Sequence, residues 1–306
     1  MKTCSKYILL LIVGILFSGC DDEATIKDIK LEKEAIDMLL GFRHQITALP
    51  VPLDAKDQTM EWSSANPEIA TVSRFGVVEG IAEGSTTITV KHGTIQKTIA
   101  LTVTDPIVIP PRVGMWSFSD PANLGKADVG ANLELVGSGF ASIDGNKAGT
   151  KGIRVSKGSY LQTKHGIKPE AGETMVHKYA ILITFKIPAL GSWYSFYQTD
   201  PTNGNDAELF INTSGAIGVG ATGYSSAVTA NEWHQLVICA DLPDYKFYLD
   251  GDLINTSEQG KNDRFSLSEI IMFIGDNDGD DAEMDVAEIS MWDVTLDELQ
   301  IKKLNR

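Results

Sequence analysis

Cysteine is scarce: the 306 residues hold three, Cys4, Cys20 and Cys239. Two lie in the N-terminal apolar stretch and the third stands alone, so no disulfide framework can be assembled. Cys239 sits between Ile238 and Ala240 with no histidine or cation nearby in sequence to lower its pKa, so it reads as a small packed side chain and not as a nucleophile. Positive charge is also short. With 26 Lys and Arg against 41 Asp and Glu the formal net charge is −15, which repels phosphate backbones and anionic membrane surfaces, excludes nucleic acid and leaves neutral or cationic partners. The longest apolar run, Tyr7 to Phe17, is too short to span a bilayer comfortably. Helical periodicity is missing until a short segment at Leu296 to Leu304.

What is present is alternation of period two, broken by turn residues. The clearest stretch runs from Asn231 to Gly251. Leu236, Ile238 and Ala240 alternate with Gln235, Val237 and Cys239, a turn at Pro243 and Asp244 reverses the chain, and Phe247 and Leu249 follow. Asp250 and Gly251 then supply the two positive-φ positions of a type I′ turn, and Leu253 and Ile254 resume the apolar pattern. Further strands are expected at Met115–Phe118, Gly152–Leu161, Tyr179–Pro188, Ser192–Gln198, Ala207–Asn212 and Ala216–Gly220, and short alternating segments also fill Ile26 to Thr104. The three prolines of Asp105–Arg112 deny ladder donors and mark a stiff connector. The expected division is therefore 1–19 signal peptide, 20–25 acidic tether, 26–104 first sandwich, 105–112 linker and 113–306 second sandwich, an all-β chain with one terminal helix.

Four resemblances add to this reading. Glu61–Val72 and Gly76–Val90, with Trp62 as core residue, an Asx/Pro turn at Asn66 and Pro67 and turns at Gly76, Gly80 and Gly84, resemble the bacterial immunoglobulin-like group 2 (Big2) domain, which implies an Ig-like spacer. The pair Trp233–His234, the phrase Tyr248-x-Asp250-Gly251 and the closing Val286–Trp292 resemble the laminin-G-like (LamG) and concanavalin A-like jelly rolls. That resemblance covers about Gly114 onward. Lys2 and Lys6, the apolar run, then Ser18, Gly19 and Cys20 resemble a lipobox, with Phe17 where Leu is usual; it implies lipidation of Cys20. Asp21, Asp22 and Glu23 resemble the export signal of Bacteroidetes surface lipoproteins, which implies an outer-membrane, cell-surface location with the membrane reached through the lipid alone.

Three places carry candidate chemistry. The acidic run Asp276–Asp281, with Asp276, Asp278 and Asp280 on alternating positions around a glycine, supplies hard oxygen ligands for Ca²⁺, with Asp206 and Asp250 as further candidates; the alternative is a solvated acidic loop. Trp193, Tyr194, Tyr197 and Tyr224, with Gln198, Asn203, Asn205 and Asp206, form the vocabulary of sugar recognition, aromatic faces for stacking and amides or carboxylates for hydroxyls. Strand alternation puts Trp193 and Tyr197 on one face and Tyr194, Phe196 and Gln198 on the other, so one set is core. Glu283, Asp285 and Glu288 spell Glu-x-Asp-x-x-Glu, which resembles the catalytic strand of family 16 glycoside hydrolases, where two glutamates about 5 Å apart perform retaining hydrolysis. Here only one strand end and a helix follow the motif, against several strands in those enzymes. The expected function is accordingly a surface lipoprotein that captures carbohydrate, a polysaccharide or host glycan, without cleaving it, with protein partners in a glycan-uptake complex. A protein-binding adhesion module and a hydrolase are the alternatives. Val286 and Ile289 should both face the core although three apart, which requires a bulge at Ala287 and Glu288.

Overall fold

The computed structural model describes residues 24–200, 207–262, 264–275 and 281–305, in two compact units, Met1–Pro106 and Ile107–Arg306. Among the described residues no helix is long and apolar enough to cross a membrane. The chain is nearly all β, as its alternation requires.

The first unit holds β1 (Asp28–Leu31), β2 (Ala35–Leu39), β3 (Arg43–Gln45), β4 (Ala48–Val51), β5 (Glu61–Ser64), β6 (Ala70–Val72), β7 (Val77–Gly80), β8 (Gly84–His92) and β9 (Ile95–Thr104). Its main sheet runs β2-β9-β8-β5, a second runs β3-β7-β6, and β1 pairs β4. Alternate residues Ile88 and Val90 of β8 and Ile99, Leu101 and Val103 of β9 point into one core with Ile36, Ala70 and Val78. Trp62 packs on that core half-buried. Gly80 lies at the end of a strand and not in a turn.

The second unit holds β10 (Gly114–Trp116), β11 (Glu134–Val136), β12 (Phe140–Asp144), β13 (Lys151–Val155), β14 (Tyr160–Lys164), β15 (Lys178–Lys186), β16 (Tyr194–Gln198), β17 (Leu209–Ile211), β18 (Ile217–Val219), β19 (Gly223–Ser225), β20 (His234–Asp241), β21 (Asp244–Leu249), β22 (Asp252–Glu258), β23 (Ile270–Phe273), β24 (Met284–Trp292) and α1 (Glu298–Leu304). An eight-stranded sheet, β12-β13-β24-β15-β20-β21-β22 with β10 beside β24, faces a seven-stranded one, β11-β14-β23-β16-β17-β18-β19. This is a jelly-roll-type sandwich, and its core is built from the inward rows of both sheets, among them Trp116, Ile183, Phe185, Ile238, Phe247, Phe273 and Ile289.

The outward face of the eight-stranded sheet is divided in two, and the cross-strand register shows where. On β24, β15 and β20 the neighbours Trp292, Ala180 and Cys239 form one row and Ser290, Leu182 and Val237 the next. Leu296, just before helix α1, and Ile301 within it cover these rows. The helix is started by Asp297, whose side chain accepts from Gln300 N–H while the Gln300 side chain accepts from Asp297 N–H. The segment after Pro106 lies on the same half. Ile109 packs there, and the carbonyls of Pro110, Val108 and Ile107 accept from Trp292 Nε1 (2.9 Å), Gln300 Nε2 (2.8 Å) and Lys303 Nζ (2.8 Å). One step along the strands the outward row becomes Glu288, Thr184 and Gln235, and the next pairs Asp285 with Lys186. The cover ends where the row turns polar.

The bulge expected in β24 is present. Thr184 pairs Glu288 and Phe185 pairs Val286, which leaves Ala287 as the extra residue. Val286 and Ile289 are both fully buried, and Glu283, Asp285 and Glu288 share the outward side. The hairpin also forms, with Asp250 at φ 53° and Gly251 at φ 88°, the geometry of a type I′ turn. Its partner turn lies at Leu242–Pro243, one residue earlier than the sequence suggests, since Asp241 pairs Asp244. Leu253 is exposed while Ile254 packs on the core.

Candidate functional site

The four aromatic residues expected to form a sugar-stacking surface are split by the fold. Tyr194 and Tyr197 are buried, which corrects the expectation that they meet a ligand. The reason is an irregularity in β16. Its pairing with β17 skips from Ser195 to Tyr197, so alternation fails there, and Phe196 and Tyr197 both belong to the core. The Tyr197 hydroxyl is satisfied within that core by Tyr245 and the Tyr179 hydroxyl by the Phe265 carbonyl at 2.7 Å, while Tyr194 donates to the Ala189 carbonyl.

Trp193 and Tyr224 remain at the surface, 37% and 39% exposed. Their rings meet edge to face with centroids 6.0 Å apart, and Trp193 also packs on Phe210 at 5.9 Å. Trp193 is anchored through its carbonyl, which accepts from Ala282 N–H at 3.0 Å. Asn203, Asn205, Asp206, Asp276, Asp278, Asp280 and Cys20 lie outside the described residues. Among the described residues no group of three His, Cys, Asp or Glu could hold a metal ion. Asp281 turns one carboxylate oxygen to Gly158 N–H at 2.8 Å. Asp250, a further calcium candidate in the sequence, is committed elsewhere: it accepts from His234 Nδ1 at 2.7 Å and from Gln235 N–H at 2.8 Å.

The Trp-His pair and the Asp-Gly turn meet the Glu-x-Asp-x-x-Glu strand on the uncovered half of the eight-stranded sheet. A depression of about 230 Å³ opens there, with Thr184, Ala287 and Glu288 as floor. Trp233, His234, Gln235, Asp250, Leu304 and Asn305 form one side, and Ser117, Asn146, Lys147, Thr150 and Lys151 the other. The depression exists because small residues occur together at the bulge. A Cβ on Gly152 would come within 2.6 Å of the Val286 carbonyl oxygen, so no side chain rises from that position, and Ala287 adds only a methyl.

Two networks hold the walls. Asp285, 6% exposed at its side chain, takes Arg154 in a fork of 2.7 and 3.0 Å and Lys186 at 3.3 Å. Lys186 Nζ then stands over the Trp233 ring, 4.8 Å from its centroid. In the second network His234 gives Nδ1–H to Asp250 and accepts Thr229 N–H on Nε2 at 3.0 Å, so both ring nitrogens are occupied. The Asp250 hydrogen bond raises the His234 pKa despite burial. For Asp250, burial raises the pKa but the His234 and Gln235 hydrogen bonds outweigh it and leave it lowered. Asp250→Asn should therefore shift the His234 titration to lower pH in a proton NMR series, and destabilise the hairpin by about 1–2 kcal/mol. An unmoved His234 midpoint would show that the pair does not couple.

The glutamates of the motif do not share this depression. Glu288 lines it, hydrogen-bonded by Ser290 at 2.7 Å with Arg112 at 3.6 Å. Glu283 is not among its lining residues and is held by Ser156 at 3.2 Å and Arg154 at 3.4 Å. The sequence pointed to Trp233 and His234 as framework residues, and to Asp250 as framework and as a further calcium candidate. The outward row of β15, polar from Thr184 onward in an otherwise apolar strand, is the signal that could have marked the opening.

The first unit is an immunoglobulin-like sandwich. Residues 27–103 match the bacterial Ig-like domain (group 2). No curated protein matches the chain. Among solved structures it is similar to the botulinum neurotoxin serotype D binding domain, at 16% identity and a TM-score of 0.47 over 63% of this chain and 50% of that one. It is also similar to domain 4 of AbnA, an extracellular GH43 arabinanase from Geobacillus stearothermophilus in complex with arabinotriose, at 12% identity and 0.43 over 64% and 98%. A sialidase of Trypanosoma rangeli is similar at 12% and 0.46 over 63% and 32%. The chain spans about half the length of the first of these.

Proposed function

We propose that this chain is a non-catalytic carbohydrate-binding protein of the cell surface, with the Ig-like unit as spacer and the LamG-like second unit facing the glycan. The supporting observation is the exposed Trp193–Tyr224 pair, aromatic surface left at the rim by a fold that buries the neighbouring Tyr194 and Tyr197. Such rings stack on the apolar faces of sugars. Anchoring through a lipid on Cys20 in the outer membrane of a Bacteroidetes-type cell, and Ca²⁺ held by Asp276, Asp278 and Asp280, belong to the same proposal. A non-catalytic role is supported by the separate holding of Glu283 and Glu288, since a retaining pair must face one cavity.

A glycan array probed with the full chain, with calcium and with chelator, tests this. We expect retention of at least one glycan class and about a tenfold loss of affinity in Trp193→Ala, the scale of one aromatic contact. An array without hits, or hits indifferent to Trp193→Ala, would remove the rim as a sugar site.

A further inference from the structure

We propose that the depression on the open half of the eight-stranded sheet is a second carbohydrate subsite, one that seats a single neutral sugar residue. It shares no residue with the Trp193–Tyr224 rim, and it stands on its own observations whether or not the rim binds glycan.

Size comes first. At about 230 Å³ the space is smaller than the roughly 300–1,000 Å³ of pockets for drug-sized ligands. It has room for one ring. The lining then selects the chemistry. Trp233 supplies an apolar ring, half-exposed. Around it stand Asn146, Thr184, Gln235, Glu288 and Asn305. Amides both donate and accept, hydroxyls do the same, and a carboxylate accepts twice over, which is the set that reads sugar hydroxyls, themselves donor and acceptor at once. Gln235 Oε1 accepts no hydrogen bond among the described residues, while its Nε2 is held by the Leu304 carbonyl at 3.1 Å. The hydrogen bond on Nε2 fixes the Gln235 side chain at the wall of the depression.

Charge argues for a neutral ligand. Lys151 is already neutralised by Asp144 at 2.9 Å, and Lys186 by Asp285. Facing the space are Lys147 on one wall and, on the floor, Glu288, one oxygen of which is held by Ser290 and Arg112, with Asp250 bound to His234. An anion meets Glu288 and a cation meets Lys147. A hydroxylated neutral ring meets both as hydrogen-bond partners.

Preorganisation is the last support. Arg154 fixes Asp285, Asp285 fixes Lys186, and Lys186 stands on the Trp233 ring. His234, with both nitrogens occupied, locks the start of β20 between Trp233 and Gln235. Asp285, the central residue of the Glu-x-Asp-x-x-Glu strand, is thereby a positioning residue for Trp233. A side chain held in place before binding loses less entropy on binding.

The experiment is a titration of the full chain with a panel of neutral monosaccharides, glucose, galactose, mannose, fucose and N-acetylglucosamine, with glucuronic acid and glycerol as controls. It is read by indole N–H resonances in ¹⁵N-labelled protein, the Trp233 signal being assigned through Trp233→Phe. We expect at least one neutral sugar to shift the Trp233 resonance at millimolar concentration, with glucuronic acid and glycerol weaker. Glu288→Gln and Trp233→Ala should each raise the apparent Kd about tenfold. Asp285→Asn should weaken binding and also move the Trp233 resonance in the sugar-free protein, which a purely structural role far from the ring would not do. Glu288→Gln removes no packing, so its result stands even if Trp233→Ala fails to fold. A panel that leaves Trp233 unmoved, or a shift of equal affinity in Glu288→Gln, overturns the proposal. Trp193→Ala separates the two sites: rim binding lost with the Trp233 shift intact supports the subsite alone, and the Trp233 shift lost together with rim binding overturns its independence.

Discussion

Replacing Trp292 by alanine should cost the second unit about 3–5 kcal/mol, the range for a large aromatic residue removed from a packed site. Trp292 is fully buried, yet it lies on the outward side of its strand. Its indole joins the central strand β24, helix α1 and the segment after Pro106. The ring packs with Ala180, Leu296 and Ile301, its Nε1 donates to the Pro110 carbonyl at 2.9 Å, and the Arg112 guanidinium lies 5.2 Å from its centroid. Alanine leaves a cavity and an unpaired carbonyl together. Urea unfolding of the full chain should show the second-unit transition moved to lower denaturant, with Tm down about 2–4 °C for each kcal/mol lost. Limited proteolysis should open at residues 107–112. A loss below about 1 kcal/mol, the average for any substitution, would mean that the helix and not the indole holds this face together.

Glu208→Gln should remove most of the pH dependence of the second unit between about pH 5 and pH 8. Glu208 is wholly buried, and one of its carboxylate oxygens accepts Thr199 N–H at 2.7 Å. Burial pushes its pKa up to about 8, only partly opposed by the Thr199 hydrogen bond and by Arg264. In the unfolded chain the group titrates near 4.5. Between those values the folded state holds a proton that the unfolded state has released, so stability is complete below the lower value and falls as pH rises toward and through the upper one, by about 1.4 kcal/mol per unit at most. Glutamine mimics the protonated acid and can still accept from Thr199, so the variant should match the wild type near pH 5 and exceed it near pH 8. His234, with its raised pKa, also contributes stability that is lost as pH rises, and it is present in both proteins, so the difference between their melting curves isolates Glu208. Parallel curves across the range would show that Glu208 does not hold that proton.

Much of this architecture is legible in the sequence because it depends on contacts between near neighbours. The alternation of Leu236, Ile238 and Ala240 and the two positive-φ residues at Asp250 and Gly251 are local conditions, satisfied by a few adjacent residues. Even the bulge at Ala287 could be inferred, since Val286 and Ile289 cannot both reach the core on a regular strand. The group 2 Ig-like unit was readable for the same reason, its turn residues and core positions following one another within residues 27–103.

Exposure was decided elsewhere. Nothing near Tyr197 in the chain says that β16 loses its alternation, because the irregularity arises from its pairing with β17, and Tyr197 is buried by Tyr179 and Tyr245, which come from other strands of the opposite sheet. Likewise Leu182 and Thr184 are adjacent outward positions on one strand, and whether each is covered depends on where α1, more than a hundred residues later, comes to rest. The sequence by itself determined which residues alternate and turn, since those preferences act over a few bonds. Tertiary packing alone decided which outward row is covered and which stays open, because burial is set by the partner surface, and that partner arrives from a distant part of the chain.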